Sequence, residues 1–360
     1  MLPAWEVGSE SHWDATALRP SDADEAPWLP QPHSLYATGT AALVALIKER
    51  PGRTRLHLPS YFCLGVAAVL ARYAELRWYR DLPGRPGPEA ASLLPEPGDV
   101  VLAVNLFGRS SRAPWEVWLH EHPEASLVED HTHDPQSVWA RTSGATYCLA
   151  SLRKTLPVPD GALLWSPAGQ PLPVPASPAN GASSLKLAAM VLKGAWLEGK
   201  AVAKPDFRRL QMLGEAGLMD VRGASSDFTR LVLPGLDVRG MRAVRASNVA
   251  ALAERVGEDG VLGGYARLLP DAPVGSVPFQ LPVICRSSQV RDHLLAHLLS
   301  NGVYAAVHWR QDGEELSPGD HEALDLSRRI LTLPVDHRTS PPDVERISAV
   351  LAAFPRRSLP

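Results

Sequence analysis

The stretch GATYCLASLRKTLPVPDGALLW, residues 144–165, decides the reading of this chain. It holds two apolar, strand-like runs, ATYCLA (145–150) and ALLW (162–165), joined by a proline-punctuated turn that carries Lys154. Lysine is scarce: of 36 basic residues only six are lysines, at 48, 154, 186, 193, 200 and 204. Lys186, Lys193, Lys200 and Lys204 fall on 183–204, which reads as one long amphipathic helix with these lysines on its solvated face. Lys48 closes another helix beside Glu49 and Arg50. Lys154 alone has no such surface role. A lysine amine is a nucleophile only when deprotonated, and burial near a cation such as Arg153 lowers its pKa.

Working outward, RLHLP (55–59), ELRWYR (75–80), VVLAVNLFG (100–108) and SLVED (126–130) read as strands. They alternate with helices GTAALVALIKER (39–50), CLGVAAVLARYA (63–74) and PWEVWLHEH (114–122). This alternation predicts an α/β fold with a mostly parallel central sheet flanked by helices. After a proline-rich connector (166–182) and the long helix, RGMRAVRASNVAALAERV (239–256) leads into a smaller α+β unit. That unit has strands near 277–285, 303–308 and 330–335 and helices near 288–300 and 341–354. The expected organisation is an N-terminal arm at 1–34, a large domain at 35–237 and a small C-terminal domain at 238–360.

Composition narrows the function. With 45% hydrophobic and 21% charged residues the chain is an ordinary globular protein, and a net charge of −3 argues against a nucleic-acid or anionic-membrane partner. The first twenty residues lack a basic segment followed by an apolar core, and no apolar run approaches the eighteen needed to span a membrane. Three widely spaced cysteines fit a reducing, cytoplasmic setting with free thiols. The cluster HEHPEASLVEDHTHD (120–134) has no zincin helix and no thiolate partners, so no metal is expected there.

Three features point to one chemistry. Thr38, Gly39 and Thr40 stand immediately before an apolar helix, where free backbone N–H groups and hydroxyls cradle a phosphate. Glu129 and Asp130 close an apolar strand, and in α/β sheets ligands sit at the carboxyl ends of strands. Ser151 lies three residues before Lys154. A phosphate cradle, a strand-end acid and a partly buried lysine are what pyridoxal 5'-phosphate requires.

With these residues in view the chain resembles the DegT/DnrJ-type sugar aminotransferases, fold-type I enzymes dependent on pyridoxal phosphate. The resemblance is carried in order by TGTAAL (38–43), LPSYFC (58–63), NLFG (105–108), the set Glu129, Asp130 and His133, then Lys154 with DGALL. It extends to NGVYAAVHWR and ILTLPVDHRTSPPDVERISAVL in the C-terminal part. It implies that Lys154 is the Schiff-base lysine, that Asp130 pairs with the pyridinium nitrogen, and that His133 lies near the phenolic oxygen. Gly39, Thr40 and Ser151 would contact the phosphate, His308 would line the substrate side, and the enzyme would be a homodimer with shared sites.

Departures are also visible. Cys63 replaces the aromatic expected over the cofactor ring, leaving Phe62 or Tyr61 to stack, and Leu149 replaces a serine. A phosphate-contacting asparagine is absent from GASSDFTRLVL, where Ser225 or Ser226 would substitute. The expected function is an aminotransferase acting on a keto or aldehyde carbon of a sugar or specialised-metabolite intermediate. Dehydration, epimerisation or carbon–carbon cleavage on the same scaffold is the alternative, and a cofactor-bound sensor without turnover is a third.

Overall fold

A proline-rich α/β chain must close its sheet before it can place a site, and here seven strands do so. The structure, a computed structural model, describes residues 5–19, 28–257, 261–269, 273–311, 316 and 318–355. The large sheet comprises β1 (His33–Tyr36), β2 (Thr54–Pro59), β3 (Ala74–Tyr79), β4 (Val100–Val104), β5 (Ser126–Asp130), β6 (Tyr147–Ser151) and β7 (Ala162–Trp165), in the order β1-β7-β6-β5-β4-β2-β3. The β3-β2-β4-β5-β6 run is parallel throughout, and β7 and β1 add an antiparallel edge. Every residue of β4 and β7 is buried, as expected of strands covered on both faces.

Helices cover both faces. α1 (Gly39–Lys48), α2 (Leu64–Leu70), α3 (Ala113–Glu121) and α4 (Val138–Arg141) connect strands of the sheet. α5 (Ala182–Leu197), α6 (Lys204–Gly217), α7 (Asp227–Val232) and α8 (Val238–Val256) follow β7. One apolar cluster packs α1 and α2 on one face (Leu43, Val44, Leu58, Leu102), and another packs the indoles of Trp115, Trp118 and Trp139 on the opposite face. A second sheet, β8 (Ala266–Leu268), β9 (Gln280–Cys285) and β10 (Ile330–Pro334), is antiparallel and ordered β10-β9-β8. It packs with α8, α9 (Ser288–Ser300), α10 (His321–Arg329) and α11 (Pro341–Ala352). Cys63, Cys148 and Cys285 are free thiols, and among the described residues no helix is long and apolar enough to cross a membrane.

The structure corrects four expectations. The long helix at 183–204 is two: α5 ends at Leu197, and α6, which the sequence did not suggest as a separate helix, runs antiparallel-packed against it. Lys186 and Lys193 are not on a solvated face; they are 5% and 2% exposed. Both are paired with the N-terminal arm, Lys193 with Glu6, Ser9 and the Glu10 carbonyl, and Lys186 with Glu10 at 3.5 Å. The strand expected at 303–308 reduces to two bridges, Val303 with Val7 and Ala306 with Thr332. Finally, β4 stops at Val104, and NLFG forms a tight turn in which Phe107 takes a left-handed conformation at φ 55.

Candidate active site

The carboxyl ends of β5 and β6, the start of α1 and the turn after β6 converge on one cavity of about 320 Å³. At its α1 end, Thr38 caps the helix by accepting the Ala41 N–H (3.1 Å), and its carbonyl accepts the Ala42 N–H. This leaves the N–H groups of Gly39 and Thr40 without an intrahelical acceptor, at the positive end of the helix. A Cβ added to Gly39 would stand 3.6 Å from Ser151 Cβ, so the cradle and Ser151 are adjacent. Gly39, Thr40 and Ser151 all line the cavity.

Alternation along β5 separates the acid pair. Asp130 faces the cavity, whereas Glu129 is buried on the other side against His131 (3.0 Å) and Cys148. Asp130 accepts the Thr132 N–H at 2.8 Å; burial raises its pKa and the Thr132 bonds oppose that rise.

His133 is held from three sides. Its Nδ1 accepts the Phe107 N–H at 2.8 Å, its ring stacks on Phe279 with centroids 4.2 Å apart, and Trp309 lies near-parallel at 5.7 Å. Burial, then the nearby His308 and Lys154, pull its pKa well below the ordinary value. The ring is therefore neutral with its proton on Nε2.

Lys154 ends a short helical turn, Leu152–Lys154, directly after β6. The turn is tied down by Leu152 N–H to Gly161 O and Gly161 N–H to Ala37 O, both 2.9 Å, which link it to the residue before the cradle. Gly161 sits at φ +113, and a Cβ there would meet Thr229 at 2.8 Å, so no other residue fits. The neighbouring Asp160, fully buried, accepts from Ser183, Ser226 and Thr229 and anchors the far end of the turn. The expectation of a partly buried lysine is corrected: Lys154 is exposed, because the turn that carries it lies at the mouth of two cavities, both of them partly open. The Arg153 charge first, and desolvation by the protein packed around the amine second, lower its pKa to about 8; the Arg153 charge is the cause that stands beside an exposed side chain. Arg153 is itself clamped by Glu215 of α6 (3.1 and 2.8 Å), which also takes Lys186 at 2.5 Å. Burial would raise Glu215, but the charges of Arg153 and Lys186 outweigh it and hold it at about 2.

Lys154, Arg153 and Glu215 also form the wall between this cavity and a second chamber of about 340 Å³. His308 lies in that second chamber, its Nδ1 3.1 Å from Thr332 Oγ1, with a pKa lowered to about 3 by burial and then by Lys154.

Of the expected site residues, Gly39, Thr40, Phe62, Cys63, Asp130, His133, Ser151 and Lys154 share one cavity, and His308 stands beyond Lys154. Tyr61 does not reach the cavity; it is fully buried and donates to the His308 carbonyl at 2.5 Å. Ser225 is fully buried and Ser226 is engaged with Asp160 and Thr229, so neither is free to reach a neighbouring subunit. The sequence reading missed Trp309, Thr132 and Glu215. Thr132 was legible, lying between Asp130 and His133; Trp309 and Glu215 come from distant segments with no local mark.

No family model matches the chain, and no curated protein matches it in sequence. Solved structures match its fold. The S. venezuelae protein DesV, solved in complex with a ketimine intermediate, aligns over 90% of this chain and 85% of its own at 15% identity and a TM-score of 0.60. The putative sugar aminotransferase Spr1654 from Streptococcus pneumoniae, in its apo form, aligns over 91% and 86% at 13% identity and a TM-score of 0.61. A DegT DnrJ EryC1 StrS aminotransferase from Brucella abortus aligns over 89% and 85% at 17% identity and a TM-score of 0.56. With its seven-stranded sheet and smaller antiparallel one, the protein has the fold of fold-type I aminotransferases.

Proposed function

We propose that this protein is a pyridoxal-phosphate-dependent aminotransferase of the DegT/DnrJ type, acting on a keto or aldehyde carbon of a sugar or specialised-metabolite intermediate. The observation that carries the reading is the meeting in one cavity of a depressed-pKa lysine, a strand-end carboxylate and an unsatisfied helix N-terminus. Those groups fit the cofactor part by part. The N–H groups of Gly39 and Thr40 with the Ser151 hydroxyl suit a phosphate, Asp130 suits a protonated ring nitrogen, and the Nε2 proton of His133 suits an anionic oxygen. Phe62 and Trp309 supply ring surface where Cys63 cannot.

When bound, pyridoxal phosphate supplies an electron sink for carbanion chemistry at a substrate carbon. The chain does the rest. Lys154 offers a partly deprotonated amine near neutral pH as nucleophile and proton carrier, because Arg153 disfavours its charged form. Asp130, in a partly desolvated site, stabilises a positive charge placed beside it. His133 holds its proton in a fixed direction, since the Phe107 N–H occupies the other nitrogen.

A homodimer belongs to the same proposal. Met212, Leu213 and Met219 of the α6 region are 63%, 51% and 62% exposed, and Met219 stands at the cavity wall. An isologous contact over this face would cover all three and finish the cavity. Equilibrium sedimentation tests it, and a monomer with full activity overturns it. The cytoplasm is the proposed location, in keeping with three free thiols.

The assignment is tested by borohydride reduction of the cofactor-loaded protein followed by peptide mapping. The pyridoxyl label is expected on Lys154; a label on Lys186, the buried lysine beside Glu215, would sink the assignment. Reaction class is tested by amino donors: release of a keto acid with loss of the visible band supports transamination, and an unchanged band across a broad panel favours another reaction.

A further inference from the structure

The face of the large sheet opposite the cofactor cavity carries a polar knot in an otherwise aromatic core. β5 and β6 run parallel with Glu129 in register beside Cys148. Alternation puts His131, two residues beyond Glu129, on the same face, and its backbone N–H continues the ladder to the Leu149 carbonyl at 2.8 Å. Strand pairing thus brings a thiol to a carboxylate and an imidazole whose own stretch, 120–134, contains no cysteine. Glu129 Oε2 lies 3.0 Å from His131 Nε2 and 3.6 Å from Cys148 Sγ, and the three donor atoms all fall within 4.8 Å of one another. The side chains are buried, at 2% exposure for Glu129 and 0% for His131 and Cys148. The indoles of Trp139 and Trp165 lie 5.1 and 6.0 Å from the imidazole. Among the described residues Glu129 has His131 as its one ion-pair partner. His131 Nδ1 has no hydrogen-bond partner among them, so no protein group commits the ring to a proton on Nε2.

We propose that Glu129, His131 and Cys148 bind one zinc ion, which rivets the end of β5 to β6. Geometry supports the class of ion. With zinc–ligand bonds of about 2.0–2.3 Å, neighbouring donors of a tetrahedral site stand about 3.3–3.6 Å apart. Both spacings at Glu129 lie within about 0.3 Å of that range. Charge supports it as well, since a buried carboxylate is costly unless a cation meets it. Divalent zinc with one carboxylate, one thiolate and a neutral imidazole sums to zero, so the loaded site puts no net charge among the indoles. Cys148 gives up its thiol proton to solvent on binding. A thiolate and an imidazole favour zinc over calcium or magnesium, which take oxygen ligands. Access comes through Ser143, half-buried next to exposed Gly144, whose Oγ lies 3.3 Å from Cys148 Sγ. Its hydroxyl, or a water beside it, supplies the fourth donor. Asp130 sits in the chain between two of the ligands and faces the cofactor cavity, so the ion pins the strand end that carries it.

Cys148→Ala removes the thiolate and leaves the small side chain that the core needs. The purified full-length wild type and variant are stripped with a chelator, dialysed against zinc sulfate, desalted, and measured for bound metal by mass spectrometry. The wild type is expected to retain one zinc per chain and to show a sulfur scatterer at about 2.3 Å in its zinc X-ray absorption spectrum. Cys148→Ala should bind zinc at least about tenfold more weakly. Saturating zinc should raise the melting midpoint of the wild type by at least about 3 °C and leave that of the variant in place. A wild type that retains no zinc overturns the inference. So does equal retention by the variant, which marks adventitious binding to surface histidines, and so does a zinc spectrum without sulfur. If Cys148→Ala does not melt cooperatively, Cys148→Ser, closer in shape and a poorer zinc ligand, is measured by the same criteria.

Discussion

The backbone N–H of Phe107 donates to Nδ1 of His133 across 2.8 Å, while the two rings lie within 8° of parallel at 5.8 Å. Phe107 thus fixes the tautomer of the imidazole and shares with Phe279 in fixing its plane. It does so from a left-handed backbone position, which costs about 1–2 kcal/mol for a residue with a side chain. His133→Phe keeps the stack on Phe279 but leaves the Phe107 N–H buried without an acceptor. The variant is expected to lose about 1–3 kcal/mol of stability, measured by urea unfolding at matched m-values. An unchanged midpoint would mean that the Phe107 N–H finds another partner.

Asp130 and Glu129 separate cofactor chemistry from strand structure. Asp130→Asn keeps the shape but removes the negative charge facing the cavity. Borohydride labelling of Lys154 should persist, while turnover falls at least about a hundredfold, roughly 2.7 kcal/mol of barrier. Glu129→Gln, on the far face beside His131 and Cys148, should leave turnover within a few-fold. The reverse pattern would place the functional acid on the wrong face of β5.

The Arg153 charge, with desolvation as the smaller cause, lowers the pKa of the Lys154 amine to about 8. The free amine is the reactive form, so capture of pyridoxal phosphate by the unloaded protein should speed up as pH rises through about 8 and level off above it. Arg153→Gln removes the larger cause, and the whole profile should shift to higher pH. Stopped-flow absorbance across the pH range checks this; coincident profiles would assign the shift to desolvation alone.

Gly39→Ala probes the cradle itself. The added methyl meets only ordinary contacts, 3.5 Å from Leu149 and 3.6 Å from Ser151, so stability should change by no more than about 0.5 kcal/mol. The same methyl intrudes on the space beside the free N–H groups, and the Kd for pyridoxal phosphate should rise about tenfold. Fluorescence titration of the unloaded variant measures it, and wild-type affinity would move the phosphate away from α1.

Much of this protein is local. The runs at 126–130 and 162–165 are strands with those bounds; the second, buried along its whole length, carries the contiguous apolar signature of a strand covered on both faces. The cradle at Thr38–Thr40 and the acid and histidine at 130 and 133 were legible because each is a short-range consequence of a helix start or a strand end. Tertiary structure decided the rest. Lys186 and Lys193 stand seven residues apart, on one face of α5. Nothing local to α5 says that this face meets the acids of a distant arm rather than water, since pairing energy depends on a partner that periodicity does not encode. The same holds for Trp309 beside His133, Glu215 beside Arg153 and the second chamber, each built where segments far apart in the chain pack together. Side-chain pattern fixes which face is apolar; only the assembled fold fixes what that face, and the polar one opposite, will touch.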